Sequence, residues 1–275
     1  MKGLITGASW YVGAKIYDDL KEKWIDVAGT YHSNKLFDDL VQLDITDEYA
    51  VSLLIQDIQP EYIIHAAAST VGSWCEKNPE EAFLTNCKAT EFLVNAANRY
   101  WSKMIFISSS AAVKPAGIYG RTKVESERIV KNSQSWFVII RPSLILGVSP
   151  YMNSDTYFNK LFRNIREWKW ESYDHVLEFK PTWLKHVSET VSCILKNEIA
   201  NETIPVSVSE SVTRYACAND IASAFDVKVT EKHYPHIFPN SQKDISKLLE
   251  LNLPQYRYSE MIKGIIEEIS EHIKK

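Results

Sequence analysis

The sequence predicts an α/β protein: a doubly wound parallel sheet with a smaller C-terminal lobe interleaved with it. Three observations carry this. Short apolar strands alternate with helical stretches through the first 150 residues, the first strand runs through small residues directly into a helix, and the alternation loosens beyond Tyr151. Parallel strands need crossover connections, and helices supply them. Residues 1–150 are therefore expected to form the sheet domain. Residues 151–275 are expected to form mainly the lobe, with some segments returning to the sheet.

A chain of 275 residues with 45% hydrophobic types can bury a large core. A net charge of -4 gives no reason to expect nucleic acid or an anionic membrane as partner. No apolar run reaches the length of a membrane span, and the N-terminus enters a strand without a signal-peptide pattern, so a cytoplasmic location is expected. Cys75, Cys87, Cys193 and Cys217 form no close metal-ligand or redox pair and read as reduced thiols. The eight tryptophans are assigned to packing, with a sugar-stacking platform as the alternative.

In chain order, Leu4-Ile5 forms the first buried strand, and Gly7, Ala8 and Ser9 turn the chain before Val12, Gly13, Ala14 and Ile16 open a helix. A strand feeding tightly into a helix leaves N–H groups free for a dinucleotide pyrophosphate. Gly7 and Gly13 take the outer positions of such a loop, but Trp10 stands where a middle glycine would allow backbone and phosphate to approach. The helix to Trp24 buries a stripe of Ile16, Leu20 and Trp24, and the second strand ends at Tyr31. No carboxylate follows that strand. His32, Ser33 and Lys35 suit a 2′-phosphate, so NADP is favoured over NAD.

Val41 to Ile45 is the third strand. Asp44 at its exit either accepts from an adenine amino group or caps the helix from Thr46 to Asp57. Glu61 to Ala68 is a central strand whose Ala66, Ala67 and Ala68 leave room for a ligand against the backbone, while His65 reads as a packed neutral histidine. Pro79 opens a long helix to Ala97 in which the interior Asn86 must find backbone partners. Lys103 to Ser110 is the fifth strand and Ser135 to Arg141 the sixth, with a helix from Tyr119 between them. Helices are expected over 155–167, 188–197, 215–225, 243–251 and 259–272, and a strand over 203–207, whereas 168–181 commits to no period.

Tyr119 and Lys123 are four apart and so share one helix face. A nearby ammonium stabilises a phenolate, and Ser110 at the preceding strand end completes a Ser-Tyr-Lys set for hydride transfer coupled to proton transfer. Ser108 and Ser109 compete with Ser110, and alternation gives Ser108 and Ser110 the same facing. Glu125 and Glu127 read as solvated or salt-bridged. No metal site is expected: His233 and His236 read as loop histidines, and His175 and His186 lack partners.

On TGASWYVG (6–13), GTYHS (29–33), LDITD (43–47), PEYIIHAAA (60–68), WCEKNPEEAFLTN (74–86), FISSSAAV (106–113), IYGRTKVESE (118–127) and IIRPSLILG (139–147), the chain resembles the extended short-chain dehydrogenase/reductases, a Rossmann-type family. It is most similar to their dTDP-4-dehydrorhamnose reductase branch. Later similarities are KPTW (180–183), VTRYACANDIA (212–222) and PNSQKDISKLLEL (239–251). The resemblance implies an NAD(P)H-dependent reductase of a nucleotide-linked 4-keto deoxysugar, with NADP as cofactor and NAD as the alternative. Tyr119 would be the proton donor, Lys123 would lower its pKa and hold the ribose, and Ser110 would match the catalytic Ser/Thr. Gly7, Trp10, Tyr11, Val12 and Gly13 would surround the pyrophosphate. His32, Ser33, Asp44 and Ile45 would lie at the adenosine end, with Ala66 to Ala68 and Pro142 along the rest of the cofactor. A homodimer is compatible with the family.

Three departures stand out. Trp10 replaces the middle glycine, Ala111 follows Ser110 where the family has Asp, and only nine residues separate Ser110 from Tyr119 instead of more than twenty. The last predicts either a very open site or a segment missing near Val113-Lys114. Two other readings stand beside the reductase: a nucleotide-sugar epimerase that retains its NAD, and a non-catalytic Rossmann regulatory or scaffold protein.

Overall fold

A computed structural model describes residues 2–233 and 244–274. The sheet forms from short, largely apolar strands, buried through its centre and exposed at the β3 edge: β1 (Gly3–Thr6), β2 (Val27–Tyr31), β3 (Val41–Gln42), β4 (Tyr62–His65), β5 (Lys103–Ile107) and β6 (Phe137–Pro142). All pair in parallel in the order β6-β5-β4-β1-β2-β3. This is the doubly wound topology expected, and its order reverses between β1 and β4, where such sheets open a crevice for ligands. The later strand (Glu202–Val206), one residue earlier than expected, joins beyond β6 as a seventh parallel strand, so the C-terminal half does return to the sheet.

Helices cover both faces. On one, α1 (Tyr11–Glu22) buries Ile16, Tyr17 and Leu20 in a core shared with Val187, Val191 and Ile194 of a later helix, Leu184–Asn197. On the other, α2 (Glu48–Ile58) and the helix from Pro79 pack Val51, Ile55, Leu93 and Ala97 against Leu4, Ile63 and Phe106. A third core, around Phe158, Phe162, Trp183, Met261 and Ile265, holds the C-terminal lobe. The lobe's helices include Tyr157–Arg166, Arg214–Ala222, Ser246–Glu250 and Tyr258–Lys274, and its strands between 172 and 183 are only two or three residues long, which is why no period marks that stretch. The expected helix start at Lys243 and His236 lie outside the described residues. No described helix is long and apolar enough to cross a membrane, and no described cluster of His, Cys, Asp or Glu could hold a metal.

Two expectations are corrected here. Trp24 is not on the buried stripe: α1 ends at Glu22, the chain turns left-handed, and the indole is 95% exposed. The helix from Pro79 is not uniform: it widens into a π turn over Leu84–Lys88 before continuing as Ala89–Arg99. Such bulges often re-aim one side chain. Here that turn carries Asn86, whose amide accepts from Ser69 N (2.7 Å) and donates to Ser69 O (3.0 Å) and Thr122 Oγ1 (3.0 Å). Asn86 thus finds its backbone partners and fixes the loop that follows the three alanines.

His65 is buried and neutral, between Thr6 Oγ1 (2.7 Å) and Thr90 Oγ1 (3.1 Å), and burial pushes its pKa down to about 3. Burial likewise brings His186 down to about 4. Both depressed values mean that the unfolded chain takes up protons first as the pH falls. The stability they cost is therefore absent above about pH 6.5 and grows below it, by roughly 1 kcal/mol per histidine per pH unit down to about pH 4. Urea midpoints at pH 7, 6 and 5 should decrease stepwise; a constant midpoint would contradict the assignment.

Candidate active site

The turn after β1 is built by its glycines. Gly7 adopts φ +74°, and a Cβ there would lie 2.9 Å from the Ala67 backbone. A Cβ on Gly13 would overlap the Gly7 carbonyl, so Gly13 packs beneath the turn and its place is structural. Trp10 is the extended residue preceding α1, and its ring packs at a tilt of 33° against Tyr151, 4.8 Å between centroids. No side chain caps the start of α1.

A cleft of about 570 Å³ opens over this turn at the C-terminal ends of β1, β2 and β4. Gly7, Trp10, His32, Ser33, Asp44, Ile45 and Ala66 to Ala68 all line it. The capping alternative for Asp44 falls to Asp47, which accepts from Ala50 N at 3.0 Å. Asp44 instead accepts from Thr46 N (2.9 Å) and Thr46 Oγ1 (2.7 Å); these bonds hold its carboxyl below the usual range, and His32 Nε2 stands 3.9 Å away.

A second cavity of about 180 Å³ adjoins the first at Trp10, Ala66, Ala68 and Thr70. Tyr11, Val12, Tyr119, Lys123 and Pro142 line it, together with Ser108 and Ser109. Tyr11 also serves as a strut: its buried hydroxyl donates to Gly147 O (2.7 Å), and its carbonyl accepts from Ser149 Oγ (2.7 Å).

Tyr119 and Lys123 come together on this cavity, with Ser108 and Ser109 lining it and Ser110 outside its wall. Tyr119 and Lys123 lie on the helix Ile118–Val130, and the Ser109 side chain hydrogen-bonds the Tyr119 phenol. The strand ends at Ile107, so alternation no longer governs the serines beyond it. Ser109 is extended and accepts from Ala111 N, whereas Ser110 begins a short 3-10 turn. Nothing within a run of three serines marks where the strand stops, and so the choice was hidden.

Burial pushes the Tyr119 phenol up to about 12, with the Ser109 hydrogen bond pulling the other way. Burial brings the Lys123 ammonium down to about 8, against the opposing pull of Glu127. Lys123 Nζ donates to Ile107 O (3.0 Å) and lies 6.0 Å from the Tyr119 ring centroid. In this arrangement the ammonium is aimed at a carbonyl, and the phenol lies above, not below, its ordinary pKa. Glu127 is salt-bridged, as read from the sequence, but buried; Glu125 pairs with Arg128 at the surface.

Val113 and Lys114 lie in the short connection between Ser110 and Tyr119. Glu76 Oε1 accepts from Ile118 N at 2.6 Å and ties this short connection to the start of the Tyr119 helix. The cysteines are free thiols.

A seven-stranded doubly wound sheet with a cleft at its switch point has the architecture of dinucleotide-binding α/β proteins. The chain matches the RmlD substrate binding domain over residues 1–261, and it belongs to that family. Its structure is similar to the dTDP-4-dehydrorhamnose reductase of Bacillus anthracis solved in complex with NADP (TM-score 0.82, 22% identity, 98% of this chain and 99% of that one). It is also similar to Thermus thermophilus UDP-glucose 4-epimerase in complex with NAD (TM-score 0.85, 16% identity, 98% and 99% of the two chains). Among curated proteins it is 28% identical to methionine adenosyltransferase 2 subunit beta of Xenopus laevis, over 92% of this chain and 83% of that protein.

Proposed function

We propose that the protein is an NADP(H)-dependent reductase of a ketone on a nucleotide-linked deoxysugar. The observation that carries this reading is the convergence of Ser109, Tyr119 and Lys123 on the small cavity that adjoins the long cleft. The residues fit a dinucleotide: Gly7 keeps the turn free of a Cβ, three alanines floor the crevice, and His32 and Ser33 stand where a 2′-phosphate would be met.

When bound, the reduced nicotinamide supplies the hydride. Tyr119 gives its proton to the ketone oxygen, and its high pKa keeps it protonated for that task at neutral pH. Ser109 orients the same oxygen through its hydroxyl. Lys123, turned from Ile107 O, would hold ribose hydroxyls and bring its charge to the phenolate left by proton transfer, and Tyr119 would regain its proton from solvent before the next turnover. Residues 1–150 bind the cofactor in this reading, and the lobe from 151 onward shapes the sugar pocket. The family also supports a nucleotide sugar as substrate.

A second reading is favoured by the relationship to methionine adenosyltransferase 2 subunit beta, whose name makes it one subunit of an enzyme. In that case the chain binds dinucleotide and regulates a catalytic partner. One assay separates the two: NADPH with dTDP-4-keto-6-deoxyhexose should be oxidised one for one with substrate. Binding of NADPH without oxidation, together with co-elution with a methionine adenosyltransferase catalytic chain, would replace the reductase by the subunit. Purification with firmly retained NAD would indicate the epimerase.

A further inference from the structure

Four of the eight tryptophans stand in places usual for glycine, three of them by backbone conformation. Trp24, Trp101 and Trp168 follow the ends of three different helices with φ of +58°, +55° and +53°. Each helix closes in the same way, by a bond from the residue after the tryptophan to a carbonyl five positions back: Ile25 N to Leu20 O (3.0 Å), Ser102 N to Ala97 O (3.0 Å) and Lys169 N to Asn164 O (2.9 Å). This closure places its penultimate residue in the left-handed region, the usual position of glycine. A Cβ there meets the backbone, and the indoles gain little in return, being 95%, 66% and 71% exposed. Of the eight non-glycine residues with positive φ in the described chain, these three are the aromatic ones; the rest are Asn, Asp, Gln or Glu.

Trp10 is the fourth, on independent grounds. It holds the middle position of the phosphate turn, where a side chain stands between backbone and phosphate. Composition agrees: nine glycines in 275 residues is less than half the usual frequency of roughly 7%, while tryptophan is almost as common as glycine. Trp183 shows the contrast of a tryptophan suited to its place, buried and donating to Glu268 Oε1 at 2.9 Å.

One event accounts for all four. The codon UGA is read as tryptophan in some genetic codes and as glycine in others, and it differs from the glycine codon GGA by one base. We propose that positions 10, 24, 101 and 168 are glycine in the protein its own cells make, through decoding of UGA as glycine. At position 10 this removes the indole from the boundary between the two cavities and completes the phosphate turn, a consequence that rests on the dinucleotide reading above. The three helix ends do not depend on it.

Peptide mass spectrometry of the protein isolated from its source cells is the deciding experiment. Glycine at all four positions is expected, and tryptophan at any of them overturns the proposal. Recombinant protein tests the structural premise: the W24G/W101G/W168G chain should melt higher than the chain with tryptophan, by about 2–4 °C per position. An unchanged or lower melting temperature would contradict it. Titration of NADP into W10G is read separately: failure to bind counts against the proposed function, whereas the mass spectrum alone decides which residue the cells insert.

Discussion

Replacing Tyr119 by phenylalanine is expected to lower the rate of ketone reduction by about 10²–10⁴-fold, the range a positioned acid contributes. The affinity for dinucleotide should hardly change. The ring remains to fill the wall of the small cavity, and only the hydroxyl that meets Ser109 is lost. Single-turnover rates and dinucleotide titration on the same preparation measure the two quantities. Unchanged turnover would remove Tyr119 from the chemistry. Ser109→Ala should slow the reaction, whereas Ser110→Ala, on the turn outside the cavity wall, should leave the rate near that of the parent; the reverse order would restore the serine first expected from the strand pattern.

Replacing Glu127 by alanine is expected to destabilise the fold by about 3–5 kcal/mol, the cost of breaking a buried ion pair from one side. Its carboxylate accepts from Ser108 Oγ (2.6 Å), Arg141 Nε (2.8 Å) and Arg141 Nη2 (2.5 Å), and only 6% of its side chain is exposed. Without it, the Arg141 guanidinium on β6 and the Ser108 hydroxyl at the end of β5 lose their shared partner. Glu125→Ala, on the same helix, removes a surface pair with Arg128 and should cost less than about 1 kcal/mol. Urea unfolding of the two variants makes the comparison, and equal losses would show that burial of Glu127 carries no special weight. Because Ser108 precedes Ser109, the Glu127 variant should also loosen Ser109, seen as a fall in turnover of the protein that remains folded.

The alternation of apolar strands and helices up to Pro150 determined the doubly wound sheet from sequence alone, because strands covered on both faces must be apolar throughout and parallel neighbours must be joined by crossovers. Gly7, Gly13 and the Tyr119–Lys123 spacing were legible for the same local reason: a tight turn and a single helix face are set by residues a few positions apart. So was the neutral, buried state of His65, read from the apolar run around it. Tertiary structure decided the rest. Which of three serines faces Tyr119 depends on where β5 stops pairing, and pairing is a relation to another strand. The burial of Glu127 depends on Arg141 from the next strand, and the fate of Asp44 on Asp47 taking the helix start. Lys123 points at Ile107 O because an ammonium in a buried wall takes the nearest carbonyl. The left-handed φ of Trp24, Trp101 and Trp168 also emerged only in three dimensions, since sequence patterns record which residues are apolar and not the backbone conformation in which a helix ends.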